Sequence, residues 1–352
     1  MRRSPSLRIT FLARADANVH KFSACRALLC LLAGGWGCAQ SHPHPQIASC
    51  VCRAAAGARQ HPHVSIDGIF GSPHGLATAS DLSAVFTRRA LARHVEAGAI
   101  ARVCHGVYAL EPPDVSGRLA ALDLMTGRPL VACMNTAAAL YGFDTESDPR
   151  VHVLDPAIRM RPTERVMVHQ RAGAPLTRVR DRLATAPAWT AVEVARTLRR
   201  PRVLATLDSA LHVQACTVAD LRHAVDEQKG RRGIVRVREL LEYADGRAES
   251  PMESEARLVF IDGGLPMPEL QYEIVDRRGQ LWRVDFAWPQ AMLIAEYESM
   301  EWHATPEALK HDRKKTACLQ ECGWKTVPIV VDDVRHQPFD LVGRMFGHLG
   351  MS

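Results

Sequence analysis

The stretch Leu281–Ser299, LWRVDFAWPQAMLIAEYES, constrains the fold of this chain more than any other. Its two runs, Leu281–Trp288 and Ala291–Glu298, are rich in β-branched and aromatic residues and flank Pro289-Gln290. Such a pattern is typical of a β-hairpin. Because side chains alternate along a strand, the hairpin is predicted to have one shared apolar face. The residues predicted on that face are Trp282, Val284, Phe286, Trp288, Leu293, Ala295 and Tyr297.

The opposite face of the hairpin collects the acidic residues Asp285, Glu296 and Glu298. If the turn centres on Pro289-Gln290, Asp285 lies opposite Ile294 and diagonal to Glu296, with roughly 7–8 Å between the backbones. Neighbouring carboxylates repel one another, so a half-buried group of them is most stable around a divalent cation. The sequence therefore predicts a cation site at Asp285 and Glu296.

The spacing of these acids resembles the core of the PD-(D/E)XK nuclease superfamily: Asp285, ten intervening residues, then Glu296-Tyr297-Glu298. The flanking motifs follow the order of very-short-patch-repair-like endonuclease domains, and the match covers about Ala248–Arg335. Those motifs are Ser250-Pro251-Met252-Glu253-Ser254, Gly264-Leu265-Pro266, His303, Asp312-Arg313-Lys314-Lys315 and Cys322-Gly323-Trp324. The chain departs from the pattern at Glu298, which stands at the lysine position of the superfamily.

The resemblance implies an α/β nuclease-like domain at residues 248–352 that hydrolyses DNA phosphodiesters as an endonuclease. It implies that Asp285, Glu296 and Glu253 hold Mg²⁺ or Mn²⁺, while Glu298 completes the shell or orients water. Lys314, or its neighbour Lys315, would supply the missing positive charge. His303 would act as an acid or a neighbour of the metal. The alternative is a nuclease fold that has lost catalysis and retains DNA binding.

Residues 64–113 carry the pattern of a winged helix-turn-helix. Thr78 with Asp81 forms a capping-box pattern before a first helix, and Thr87 precedes a second helix over Arg88–Ala97. Gly98 ends that helix, and two short strands follow around Cys104-His105-Gly106. The sequence therefore predicts two helices and a two-stranded wing.

This segment, HGLATASDL…TRRALARHVEAGAIARVCHGVYAL, resembles the N-terminal domain of AbiEi-family antitoxins. The resemblance places Arg88, Arg89 and Arg93 on or near the recognition helix, and Arg102 in the wing, as candidate contacts to double-stranded DNA. Winged helices also serve as protein-docking modules, so docking is the alternative for this segment.

Residues 114–247 are predicted to form a mixed α/β middle region. Strands are expected at Val151–Leu154 and Val166–His169, and Thr217 caps a helix over Val218–Glu227. The region resembles the part of AbiEi-like proteins that follows the winged helix. It contains no convergent catalytic set of residues.

Residues 1–63 differ from the rest of the chain in charge and in cysteine content. They contain eight Arg or Lys residues and one acid, so the remaining chain has 36 basic and 37 acidic residues. Its bulk charge therefore gives no support to DNA binding, which must depend on local patches. We expect residues 1–63 to be a disordered or non-native extension rather than an export signal, with Val64 a candidate start.

The cysteines lack paired CxxC spacing after residue 52, so reduced thiols in the cytoplasm are the expectation. No run has the apolar length of a membrane span. The sequence thus predicts a multidomain α/β protein that binds DNA and has a magnesium-dependent endonuclease-like domain. The alternative is a non-catalytic, antitoxin-like transcriptional regulator with a cognate toxin as a possible partner.

Overall fold

The computed structural model describes residues 66–154, 161–298 and 306–351. The predictions for residues 1–63 and for His303 therefore lie outside the described residues. Of the described chain, residues 66–102 and 106–112 form one compact unit, and residues 103–105 and 113–351 belong to a second. The predicted boundary at residues 247/248 falls within the second unit.

The first unit combines short helices with a three-stranded sheet. The sheet has the order β1-β3-β2, and β1 pairs with β3 in the antiparallel direction. The predicted capping box is confirmed, because Thr78 Oγ1 accepts from the backbone N–H of Asp81 while the Asp81 carboxylate accepts from that of Thr78. Phe70, Leu82 and Ile100 are buried in its core. Its elements are α1 (Ile66–Ile69), β1 (Leu76–Thr78), α2 (Ala79–Ser83), α3 (Arg88–Glu96), β2 (Ala101–Cys104) and β3 (Val107–Ala109).

The second unit opens with a five-stranded mixed sheet of order β6-β5-β4-β8-β7. The strands predicted at β5 and β6 are confirmed and pair in parallel. The hairpin of β7 and β8 was not predicted, because apolar and polar residues do not alternate in the sequence of either strand. The elements are α4 (Val115–Thr126), β4 (Val131–Ala132), α5 (Met134–Tyr141), β5 (Val151–Leu154), β6 (Val166–His169), β7 (Leu176–Val179) and β8 (Arg182–Thr185).

Four helices follow this sheet and bury a large aliphatic core. They are α6 (Pro187–Ala195), α7 (Arg200–His212), α8 (Val218–Glu227) and α9 (Ile234–Leu241). Proline in the first turn starts α6 and α7, where its missing N–H would have no helical partner. The predicted cap at Thr217 is confirmed, and Asp220 completes a capping box. Helix α6 is buried on almost every side, so this core lies around it.

The last part of the second unit has the predicted element order α-β-β-β-α-β, followed by two more helices. Its sheet has the order β12-β11-β10-β9; β11 pairs with β12 in parallel, and the other pairs are antiparallel. The elements are α10 (Pro251–Asp262), β9 (Glu269–Val275), β10 (Leu281–Trp288), β11 (Leu293–Tyr297), α11 (Pro306–Glu321), β12 (Lys325–Ile329), α12 (Val331–Arg335) and α13 (Pro338–Leu349).

The predicted register of the hairpin was wrong by two residues. A short 3₁₀ turn at Pro289–Ala291 and a left-handed Met292 (φ 49°) lengthen the connection. The observed pairs are Phe286 with Ala295 and Ala287 with Ile294. Continuing this register places Asp285 opposite Glu296 rather than opposite Ile294. A shift of two preserves the faces of both strands, so the two acids are closer than predicted.

The predicted single apolar face of β10 was also wrong. Trp282 and Val284 pack with Cys318 and Leu319 of α11, whereas Phe286 and Trp288 pack into a second core around Phe260 of α10. The side chains of β10 change from one core to the other at Asp285. Gln271, the residue of β9 opposite Asp285, has a left-handed backbone (φ 51°). Both faces of the sheet are covered by apolar cores, so the apolar residues of β10 do not show in sequence which face each of them occupies.

Buried ion pairs join α7 to α10 within the second unit. The guanidinium of Arg257 donates to the carboxylate of Asp208, and both side chains are 2% exposed. Glu255, also on α10, accepts from Arg335 at 2.8 Å and lies 3.5 Å from Arg202 of α7. A buried charge without a partner is costly, so these pairs fix the position of α10 against α7. Helix α10 carries the first residue of the candidate site.

Candidate active site

Glu253 enters the site from the first turn of α10. Ser250 caps the helix and accepts from the backbone N–H of Glu253 at 3.2 Å, and Pro251 favours this start. The Glu253 side chain is almost fully buried, and its Oε2 accepts from the N–H of Glu249 at 3.0 Å. The helix cap therefore sets the depth at which this carboxylate is held.

Asp285 lies where β10 passes from one core to the other. Its Oδ2 accepts a hydrogen bond of 2.8 Å from the backbone N–H of Tyr297 on β11. That bond fixes the orientation of the carboxylate across the hairpin. Burial raises the pKa of Asp285, and the Tyr297 N–H and the charge of Lys315 oppose the rise. The acid is therefore held at the join of β10 and β11 in a desolvated position.

Glu296 on β11 is paired with a lysine from α11. The ammonium of Lys315 donates to Glu296 Oε1, and the two side chains are 19% and 18% exposed. Burial raises the pKa of Glu296, Lys315 opposes this rise, and the charge of Asp285 adds to it. The site thus combines two acids from adjacent strands with one amine from the following helix.

Gln271 connects the acids from the third strand. Its side-chain N–H donates to Glu253 Oε2 at 2.9 Å, and the Gln271 side chain lowers the pKa of Asp285 against the rise caused by burial. The left-handed backbone at this position is uncommon for a residue with a side chain and marks local strain. Sequence reasoning missed Gln271, because a glutamine in a strand carries no signal of a site.

Each of the three carboxylates has a raised pKa. Glu253 has a raised pKa through burial first and the charge of Asp285 second. Asp285 in turn raises the pKa of Glu296. Because these groups repel one another in a desolvated place, a cation or protons would stabilise them. Lys315 is the positive charge that the described residues place there.

The donor atoms suit a hard divalent cation, since magnesium and manganese prefer carboxylate oxygens. Among the described residues, however, no group of three or more His, Cys, Asp or Glu side chains is arranged to hold a metal ion already. The contact of Lys315 with Glu296 occupies one oxygen of the third acid. The donor chemistry therefore fits a metal, with Asp285 and Glu253 as the two acids not paired with this lysine.

Two other predicted site residues lie apart from this cluster. Glu298 is exposed, and its backbone N–H donates to the carbonyl of Ile329 at 2.8 Å. Lys314 is exposed on α11, whereas its neighbour Lys315 is turned toward Glu296. His303 lies in the segment 299–305, outside the described residues. The sequence pattern had left the choice between the two lysines open.

The predicted DNA-contacting arginines lie in the first unit. Arg88, Arg89 and Arg93 are exposed on α3, whose N-terminus is capped by Thr87 through a 3.2 Å hydrogen bond from Ala90 N–H. Arg102 is exposed on strand β2. Leu91 and Val95 of α3 pack on the core of this unit, so the arginines occupy the outer side of the helix.

Comparison with known proteins identifies two relatives. The chain is 62% identical over 263 residues to the proteins "Uncharacterized protein MT2308" and "Uncharacterized protein Rv2248" of two Mycobacterium tuberculosis strains, CDC 1551 / Oshkosh and ATCC 25618 / H37Rv. Each match covers 75% of this chain and 97% of the relative. Nearly the whole length of each relative is therefore shared.

Residues 130–243 match the family model of the AbiEi antitoxin C-terminal domain. This match lies inside residues 114–247, so the predicted AbiEi-like character of the middle region is confirmed. It does not reach residues 64–113 or 248–352, whose resemblances to a winged helix and to a nuclease stay predictions. Among the described residues, no helix has the length and apolar character needed to cross a membrane.

Proposed function

The chain belongs to the same family as the mycobacterial proteins MT2308 and Rv2248, and we propose that it binds DNA and cleaves DNA phosphodiesters with the help of a divalent metal ion. The observation that carries the proposal is the meeting of Glu253, Asp285 and Glu296, three desolvated acids with raised pKa, beside the ammonium of Lys315. The AbiEi-like region at residues 130–243 associates this activity with a toxin–antitoxin setting.

Asp285 and Glu253 would hold the magnesium or manganese ion, and Glu296 would join them once Lys315 turns toward substrate. When bound, the metal would supply the positive charge that polarises a phosphate and lowers the pKa of a water molecule. The hydrogen bond from Tyr297 N–H keeps Asp285 oriented, and Gln271 does the same for Glu253. These contacts preorganise the acids before any ligand arrives.

Lys315 would replace the lysine that the nuclease superfamily carries at the position of Glu298. Its amine already lies in the acid cluster, although it starts from α11 rather than from β11. A phosphodiester gains negative charge as it is attacked, and an ammonium beside it stabilises that charge. The departure at Glu298 is thus compatible with catalysis.

The first unit would bind the DNA. Arg88, Arg89 and Arg93 present guanidinium groups on one capped helix, and Arg102 adds another on β2. Guanidinium groups bind phosphates with paired hydrogen bonds, and the second helix of a helix-turn-helix lies in the major groove of DNA. A winged helix-turn-helix is the fold that we propose for this unit.

A non-catalytic regulator with a cognate toxin is the second candidate. It is favoured by the match of residues 130–243 to the antitoxin domain, and by the pairing of Lys315 with Glu296, which partly neutralises the acids without a metal. In that case the acids would hold no metal and would take no part in catalysis. DNA binding by the first unit is common to both candidates.

The test is cleavage of supercoiled plasmid by the purified full chain with magnesium or manganese, compared with the same reaction in EDTA. Asp285→Asn should abolish nicking, since the amide is a poor metal ligand. Glu273→Gln makes the same chemical change at an exposed position of β9 and should leave nicking unchanged. If the wild-type protein neither nicks DNA nor binds manganese in calorimetry, the regulator becomes the better account.

A further inference from the structure

A second cluster of charges lies in the AbiEi-like region, built around Glu193 of α6. Its side chain is 1% exposed, and Oε1 alone faces three guanidinium groups. Arg171 lies 3.1 Å away, Arg231 3.4 Å and Arg196 3.6 Å. One carboxylate therefore neutralises one of three positive charges, so the cluster keeps an excess of positive charge.

The side chain of Arg196 is the most buried of the three. The side chain is 10% exposed, and its Nε has no hydrogen-bond partner among the described residues. Burial lowers the pKa of Arg196, and the charges of Arg171 and Arg231 lower it further. Positive charge in excess around a desolvated guanidinium is unfavourable, so an anion beside the cluster would offset it.

The turn between α8 and α9 brings Arg231 and a fourth arginine, Arg232, to this place. Gly233 in that turn has φ +85°, and a Cβ there would lie 2.0 Å from the carbonyl oxygen of Arg196. Only glycine permits this close approach, which presses Arg231 and Arg232 against the end of α6. Arg231 also lies over the ring of Trp189, 4.7 Å from its centre, which fixes the plane of its guanidinium. The cluster is therefore preorganised.

An open cavity of about 410 Å³ lies among these groups. Among the described residues, its lining is dominated by cations and includes no acidic side chain. The residues that line it are Gln170, Arg171, Ala172, Arg196, Arg231 and Arg232. A concave space of this size is that of a small-ligand site, and guanidinium groups select oxyanions.

We propose that this cavity binds a phosphate group, with Arg171, Arg196, Arg231 and Arg232 as its ligands and Glu193 as the residue that positions them. Arg196, the most buried of the four, would supply positive charge, while the more exposed Arg171 and Arg232 would donate hydrogen bonds from the side. Multiple N–H donors on fixed guanidinium planes match the three outer oxygens of a phosphate. This site is separate from the acid cluster and does not depend on the function proposed above.

The phosphate could come from a free phosphorylated molecule or from a DNA backbone, and two measurements on the full chain separate these sources. The first is calorimetric titration with inorganic pyrophosphate at low ionic strength. The second is the affinity for a fluorescent DNA duplex, measured by anisotropy. The variants are Arg171→Gln and Arg232→Gln, with Arg238→Gln on the exposed side of α9 as the control for charge.

We expect wild-type protein to bind one pyrophosphate, and Arg171→Gln or Arg232→Gln to weaken binding roughly tenfold, the effect of a lost charge-assisted hydrogen bond. Arg238→Gln should match wild type. If only the DNA affinity falls, and only in the two cavity variants, the phosphate belongs to a DNA backbone. The proposal is overturned if Arg171→Gln and Arg232→Gln bind both pyrophosphate and DNA as tightly as wild type does, or if Arg238→Gln weakens the binding of either ligand as much as the cavity variants do.

Discussion

Lys315, on α11, donates from its ammonium to the carboxylate of Glu296, on β11, and this contact joins a helix to the sheet at the candidate site. Its neighbour Lys314 is exposed. One position in sequence therefore separates a lysine within the acid cluster from a lysine at the surface. The pair supplies a matched test of the catalytic proposal.

We expect Lys315→Gln to lower plasmid nicking by roughly a hundredfold or more, the usual effect of removing one group that stabilises transition-state charge. Lys314→Gln should leave the rate within a few-fold of wild type. Removing Lys315 should also raise the pKa of Glu296 further, because the lysine lowers it in the wild-type protein. The rate measurement is a nicking time course in magnesium. Equal losses in both variants would contradict the assignment of Lys315.

The acid cluster should make the stability of the metal-free protein fall as pH rises. Burial raises the pKa of Asp285 and Glu296 above their ordinary values of 3.8 and 4.5, so the folded state binds protons more tightly than the unfolded state. Stability from this source is present at low pH and is lost as pH rises through the folded pKa values.

Asp285→Asn should therefore flatten the loss of stability above pH 4, and at neutral pH in EDTA the variant should be at least as stable as wild type. Its amide oxygen can still accept from Tyr297 N–H, which keeps the hairpin intact. Urea unfolding at a series of pH values measures this. Glu273→Gln, at an exposed position, should follow the wild-type curve. If the stability of Asp285→Asn depended on pH as that of wild type does, the raised pKa of Asp285 would be contradicted.

Two ion pairs between α7 and α10 offer a second matched comparison. The side chains of Asp208 and Arg257 are each only 2% exposed. Arg200 and Asp262 form an ion pair of 2.8 Å at the surface, with side chains that are 39% and 46% exposed. Removing one partner of a buried pair leaves an unpaired charge. An exposed pair is screened by water and contributes little.

We expect Arg257→Met to lower the free energy of unfolding by about 3–5 kcal/mol. Arg200→Met should lower it by about 1 kcal/mol or less. Asp208→Asn combined with Arg257→Met should cost less than the sum of the single changes, since the charge left behind is removed too. Urea unfolding of the full chain gives all three values. Similar losses from Arg257→Met and Arg200→Met would exclude a special role for the buried pair.

The sequence predicted local structure well where a single residue controls it. Caps at Thr78, Thr87 and Thr217 were visible because a hydroxyl that accepts from a nearby N–H leaves a short-range pattern. The order of elements around the hairpin followed from alternation and from the family resemblance. Hydrogen bonds between residues three positions apart can therefore be predicted from the sequence alone.

Features that depend on distant residues could not be predicted in this way. The change of core along β10 coincides with the left-handed backbone of Gln271 on the neighbouring strand β9, while the register of the hairpin was missed because methionine gives no sequence signal of the left-handed backbone at Met292. The cluster around Glu193 draws Arg171 and Arg231 from separate loops, so its residues share no spacing. Such sites become visible only when the fold brings their elements together.

The last prediction concerns the first unit, where Arg88 and Arg89 are exposed at the start of α3. If both contact DNA phosphates, replacing them with Gln should weaken duplex binding and reduce the slope of log affinity against log salt by about 0.9 for each lost contact. Filter binding between low and moderate salt measures the slope. The double change Arg222→Gln with Arg238→Gln removes the same charge from exposed helices of the second unit and should leave the slope unchanged. An unaltered slope in the Arg88 and Arg89 variant would instead indicate that this unit docks on protein.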